Sequence, residues 1–255
     1  MVGKIQATWV SNASILIRYK DIKVLVDGLY DDKGHVFSRM PKKIEEMVMN
    51  GDAPFDHIDY LIFSHRHLDH YCERKVTAYL KKHSVKRIFL PQECVAGRPI
   101  REFFAASQMA YTALSKATDE KVFHLNAHVD LQFQKTRHLS ETEDVVQHFC
   151  CQMIFDNEKK ILWTSDMDYM HIPFQVILSE EQTVTFVNPM FMSAIRGKKF
   201  YHGGLKTKYI AVYHLPFAED DDMNLGNLVK NAIRRWHKPD GEPVVFREVL
   251  ETRTF

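Results

Sequence analysis

His65, His67, Asp69 and His70 place three imidazoles and a carboxylate within six positions. That density of neutral nitrogen and anionic oxygen donors points to divalent-cation chemistry. The donors follow Tyr60, Leu61, Ile62 and Phe63, a short apolar run of the kind that forms a buried strand. They therefore stand where a strand gives way to its loop, the place where functional side chains concentrate. In extended backbone, residues two apart share a face, so His65 and His67 can converge on one cation. Asp69 and His70 then point elsewhere. A turn after His67 lets them serve a second cation close to the first, an arrangement that holds a bridging hydroxide.

The elements that must position these donors are readable in outline. Ile5 to Val10, Ser14 to Tyr19 and Lys23 to Asp27 read as consecutive strands separated by the turn-forming pairs Ser11-Asn12 and Lys20-Asp21. A polar loop, Asp31 to Met40, leads to a short helix over Pro41 to Met49, with proline at its start. Glu73 to His83 has helical spacing, Lys86 to Leu90 is a strand closed by Pro91, and Pro99 to Ser115 is predicted to be helical. Val122 to Trp163 is mainly strand, and Asn224 to Trp236 is an amphipathic helix behind the acidic run Asp220-Asp221-Asp222. On composition alone this is a mixed α/β chain.

The four donors match the HxHxDH signature of the metallo-β-lactamase superfamily, and the chain resembles that family further downstream. His138 closes the strand-like Val129 to Arg137, where the family places a third histidine of the first metal site. Asp166 follows the apolar Ile161-Leu162-Trp163, with Ser165 standing where the family usually has glycine. His214 ends Tyr209 to Tyr213. The resemblance implies an α/β four-layer αββα sandwich, a single domain over residues 1–255, and two divalent metal ions. It assigns His65, His67 and His138 to one ion and Asp69, His70 and His214 to the other, with Asp166 bridging. It implies catalytic roles for Asp69 and Asp166, and it sets Asp27 behind a ligand histidine as a hydrogen-bond acceptor. Asp168, at strand alternation from Asp166, is the competing carboxylate. The implied activity is hydrolysis of an ester, lactone or phosphodiester in a small molecule. Zinc suits the donors, and manganese or iron would also be accepted.

Composition narrows the partners. The 255 residues are 45% hydrophobic, sufficient for one sizeable core. The net charge of +1 provides no broad field for nucleic acid or an anionic membrane. Met1 to Gln6 lacks the apolar core of a secretory signal. With Cys72, Cys94, Cys150 and Cys151 showing no paired framework, a reducing cytoplasm is expected. Cys72 lies two residues past His70 and reads as a buried thiol, with no Gly-x-Ser-x-Gly elbow in the chain to supply another nucleophile. Arg196, Lys198, Lys199, His202 and Lys206 form a basic loop over 196–206 that suits a phosphorylated substrate, though a solvated loop fits equally. Tyr169, Phe191 and Phe200 read as packing. Among family branches, the length and the Ser11-Asn12-Ala13-Ser14 opening look like the small-molecule, lactonase-like one. A ribonuclease Z-like phosphodiesterase acting on RNA, and a catalytically silent metal-bound ligand sensor, are the alternatives. Oligomeric state is left open.

Overall fold

The computed structural model describes residues 3–119, 121–139, 146–171, 180–192, 204–236 and 241–255. Its contacts divide the chain into two compact units, one comprising residues 3–115 and 248–255 and the other 116–247.

The first unit is built on β1 (Gln6–Ser11), β2 (Ser14–Tyr19), β3 (Ile22–Val26), β4 (Tyr60–Ile62), β5 (Arg87–Pro91), β6 (Tyr111–Leu114) and β14 (Thr252–Thr254), with helices α1 (Lys42–Asn50), α2 (Glu73–Leu80) and α3 (Arg98–Ser107). The sheet order is β14-β1-β2-β3-β4-β5-β6. Strands β14 to β3 pair antiparallel, and β3 to β6 run parallel. A two-residue turn joins β1 to β2, with Asn12 at φ 47°, a left-handed conformation that asparagine tolerates. Each helix buries apolar residues four apart or nearly so: Ile44 and Val48 in α1, Val76 and Leu80 in α2, and Ile100 and Phe104 in α3. Pro41 precedes α1, and Gly51 ends it at φ 70° as a left-handed cap.

One expectation is corrected here. The helix predicted over Pro99 to Ser115 stops at Ser107, Gln108 reverses the chain at φ 55°, and Tyr111–Leu114 becomes a strand paired with β5. The cross-strand hydrogen bonds outweigh the weak local helix preference of Tyr111 and Thr112.

The second unit carries β7 (Val122–His124), β8 (Val129–Thr136), β9 (His148–Phe155), β10 (Lys159–Trp163), β11 (Glu181–Val187), β12 (Lys206–Val212) and β13 (Glu242–Val245), with α4 (Leu225–Arg234). The order is β13-β12-β11-β10-β9-β8-β7; β10 to β13 are parallel, and the other pairings are antiparallel. Trp163 stacks on Phe186 with ring centroids 4.6 Å apart, and Phe186 lies over Phe246 at 6.1 Å. At the start of α4 the Asp221 carboxylate accepts the backbone N–H groups of Leu225 and Gly226, both at 2.8 Å, satisfying donors that a helix N-terminus leaves open. Of the basic loop, 196–203 falls outside the described residues, as does Phe200; Lys206 opens β12 and is exposed. Tyr169 and Phe191 are buried against each other in a T-shaped contact at 5.0 Å, as packing residues. No helix among the described residues is long and apolar enough to cross a membrane.

A buried lysine ties the loop after β3 to the helices. Lys75 is only 5% exposed, and its Nζ lies 2.6 Å from Asp32 and 2.7 Å from Glu45. Burial alone would push the Lys75 ammonium down, but the two carboxylates outweigh it and the pKa is raised. Lys75→Met should cost about 1–3 kcal/mol in a urea titration, less than for a fully enclosed pair because both carboxylates keep some solvent. That contribution is fully present below the unfolded lysine pKa of about 10.4 and fades as pH climbs through the raised folded value. Equal urea midpoints for the two proteins at pH 7 would show the pair to be neutral.

Candidate metal centre

In the first unit the donors gather at the carboxyl ends of β3 and β4, which pair in parallel with Val26 opposite Ile62. Open α/β sheets bind ligands at that edge, because the strands end there and the loops diverge. The imidazole rings of His65 and His67 lie 4.8 Å apart, and those of His65 and His70 lie 4.0 Å apart. The donor atoms of His65 and His67 lie within 4.8 Å of one another, as do those of Asp69 and His70. His65 and His70 are fully buried, and Asp69 nearly so.

A single carboxylate orients two of these imidazoles. Asp27, at φ 48° and fully buried, faces His70 Nδ1 through Oδ2 at 2.9 Å. The same oxygen accepts the Ser64 hydroxyl at 2.7 Å, while Oδ1 accepts the Ser64 backbone N–H at 2.8 Å. With its own proton committed to Asp27, Ser64 Oγ can only accept from His65 Nδ1, 3.0 Å away. Both Nδ1 atoms therefore carry the proton in the neutral rings, which turns the lone pairs of His65 Nε2 and His70 Nε2 outward as donors. His70 Nε2 is 3.5 Å from Asp69 Oδ2. Asn12, from the β1–β2 turn, donates to the Asp69 carbonyl at 2.8 Å and so anchors the loop.

In the second unit the parallel strands β10, β11 and β12 end at Trp163, Val187 and Val212. Asp166, Asn188 and His214 follow those ends within three residues. His138 sits beyond β8 in an isolated bridge with Met167. One carboxylate oxygen, Asp166 Oδ2, faces two imidazoles: His138 Nε2 at 3.7 Å and His214 Nε2 at 3.5 Å. These separations exceed the N–H···O range of about 2.7–3.2 Å. They approach the roughly 3.4 Å that separates two ligands each about 2.1 Å from a tetrahedral cation. The donor set, neutral imidazole with carboxylate, fits zinc, manganese or iron. Asp168 is engaged otherwise: its Oδ2 meets His171 Nδ1 at 2.7 Å, and its Oδ1 accepts the Met170 N–H at 3.0 Å.

No family model matches the sequence, and no curated protein matches it. Solved structures do match. Isothiocyanate hydrolase from Delia radicum gut bacteria superposes with a TM-score of 0.61 at 14% identity, over 98% of this chain and 99% of that one. Zn²⁺-bound PqqB from Methylobacterium extorquens gives a TM-score of 0.62 at 8% identity, over 94% and 86%. The chain also matches CmlA, a diiron β-hydroxylase from Streptomyces venezuelae, with a TM-score of 0.59 at 12% identity; all of this chain is covered but only 54% of CmlA. The chain has the metallo-β-lactamase fold. The α/β class expected from the HxHxDH resemblance is thus the class of the molecule, and proteins with this metallo-β-lactamase fold include both zinc-bound and diiron examples.

Within each unit, several residues for which the sequence carries no site signal stand beside the candidate donors. Ser64 and Asn12 are two of them. His148, fully buried, accepts the Asp166 N–H at its Nε2 (3.1 Å), which leaves Nδ1 protonated towards Thr136 Oγ1 at 2.6 Å. Asn188 donates to the Ser165 carbonyl at 3.0 Å. None belongs to a spacing pattern; the one local signal is Asn12 in a two-residue turn. Cys72 is buried, and its thiol donates to Asp31 at 3.2 Å. Burial, aided by the Asp31 carboxylate, pushes its pKa up, which keeps the sulfur protonated and unreactive at neutral pH.

Proposed function

We propose that this protein is a metal-dependent hydrolase of small-molecule esters, lactones or phosphodiesters. His65, His67 and His138 hold one divalent cation, Asp69, His70 and His214 hold a second, and Asp166 reaches both. The observation that carries the reading is Asp166 Oδ2 facing the Nε2 atoms of His138 and His214 at once. Zinc is the proposed metal, with manganese or iron accepted by the same donors. When bound, a dinuclear pair of this kind lowers the pKa of a shared water to near 7 and polarises the scissile carbonyl or phosphoryl oxygen. The chain's own groups do the positioning. Asp27 and Ser64 hold the tautomers of His65 and His70, and Asp69 would orient the metals' water as well as bind metal. Cys72 takes no part. The four free, buried thiols are in keeping with a reducing cytoplasm.

Elemental analysis of freshly purified protein, combined with a panel of chromogenic esters, lactones and phosphodiesters, tests the reading. Two equivalents of metal and turnover of one ester or phosphodiester class are expected. Trace metal after reconstitution, or two metals with no turnover across the panel, would refute it; the second result would instead favour a ligand sensor. A further expectation concerns the residue behind the ligands. Asp27→Ala should weaken metal binding about 10- to 100-fold, as loss of a carboxylate behind a ligand histidine does. Ser64→Ala, which leaves the Asp27 carboxylate on His70 in place, should cost less. Competition against a chromophoric chelator reads both, and an unchanged affinity in Asp27→Ala would remove that carboxylate from the centre.

A further inference from the structure

The loop that carries Asp166 is strained, and among the groups that hold it one side chain reaches both the strained residue and the carboxylate. Ser165 sits at φ 46°, left-handed backbone that glycine adopts freely and serine does not. Asn188, 2% exposed at the end of β11, donates from Nδ2 to the Ser165 carbonyl at 3.0 Å. The same Nδ2 lies 3.4 Å from Asp166 Oδ1. Its amide cannot turn over without loss, because Asn188 Oδ1 accepts the Met190 N–H at 3.0 Å, and its backbone N–H is held by the Tyr169 hydroxyl at 3.2 Å. On the other side, His148 takes the Asp166 N–H, while the Asp166 carbonyl accepts the Leu139 N–H at 2.8 Å. The two carboxylate oxygens therefore have different neighbours: Oδ1 lies on the side of the Asn188 amide, and Oδ2 faces His138 and His214.

We infer that Asn188 is a positioning residue: it holds the left-handed Ser165 turn and so presents Asp166 as a one-oxygen bridging ligand. In this chain it compensates for a serine at a position whose backbone suits glycine. The inference deepens the dinuclear reading above and rests on it only for the metal-binding arm of the test. If the amide works by holding the turn, its importance depends on the residue at 165. Ser165→Gly removes the strain, so the turn persists without help.

The experiment is a cycle of N188A, S165G and the double variant, read in two ways. Zinc titration against a chromophoric chelator should show N188A weakened about 10- to 100-fold. S165G should bind like the parent, and S165G/N188A should recover at least half of the loss on a logarithmic scale. Urea unfolding of the metal-free proteins provides the second reading: N188A should lower the midpoint more in the parent than in the S165G background. The inference is overturned if N188A binds zinc like the parent. It is overturned equally if N188A costs the same in both backgrounds by both measurements, because the turn is then not what Asn188 holds. A parent protein that binds no zinc would sink the dinuclear reading instead, and the metal-free unfolding cycle would still decide the role of Asn188.

Discussion

Asp166→Ala should lose at least one metal equivalent and reduce turnover by well over the roughly 100-fold typical of losing an outer-sphere partner. The reason is geometric. Asp166 Oδ2 faces His138 Nε2 and His214 Nε2 at 3.7 and 3.5 Å, so removing the carboxylate takes one oxygen away from both imidazoles. Asp168→Ala is the matched control. That carboxylate meets His171 and the Met170 N–H and carries no imidazole of the proposed ligand set. It should keep both cations and most activity. Metal content by elemental analysis, measured beside kcat for each variant, distinguishes the two. If Asp168→Ala lost metal and Asp166→Ala kept it, the bridging assignment would be off by two residues.

The second large effect concerns the nucleophile. Turnover should rise with pH through an apparent pKa near 7, the value expected for a water activated by cations rather than by a side chain. Chelators should silence the protein and added zinc restore it, while His67→Ala should be inactive whatever metal is supplied. Thiol alkylation should do nothing of the kind. Cys72 is buried, donates to Asp31 and has its pKa raised by burial first of all. Cys150, also fully buried, is pushed up to about 12. Neither sulfur offers a thiolate near neutrality. If alkylation at Cys72 abolished turnover with both metals still bound, and Cys72→Ser did the same, a water nucleophile could not stand. A flat profile between pH 5 and 9 with full metal content would tell against it as well.

The HxHxDH run, the strand before it and the apolar segments ending near His138, Asp166 and His214 are local features. Alternation and composition over fewer than ten residues made most strands and the HxHxDH run legible, whereas His138, Asp166 and His214 stood out as candidate donors only through the resemblance to the metallo-β-lactamase superfamily. Helix length over Pro99 to Ser115 was misjudged because Tyr111–Leu114 takes its conformation from β5, a partner with no trace in the local pattern.

What tertiary structure alone decided is how the donors are aimed. Asp27 and Ser64 lie 37 residues apart and meet because β3 and β4 pair in parallel, which lets one carboxylate set two tautomers. Asn188 reaches Ser165 across 23 residues only because β11 lies beside β10. Lone Ser, Asn and His residues carry no spacing signal, since their roles arise from strand register and long-range burial. Donor identity is a property of side-chain chemistry and sits in the sequence position by position. Donor orientation depends on which backbone groups the folded sheet brings within 3 Å or so, and only the assembled strands supply that distance.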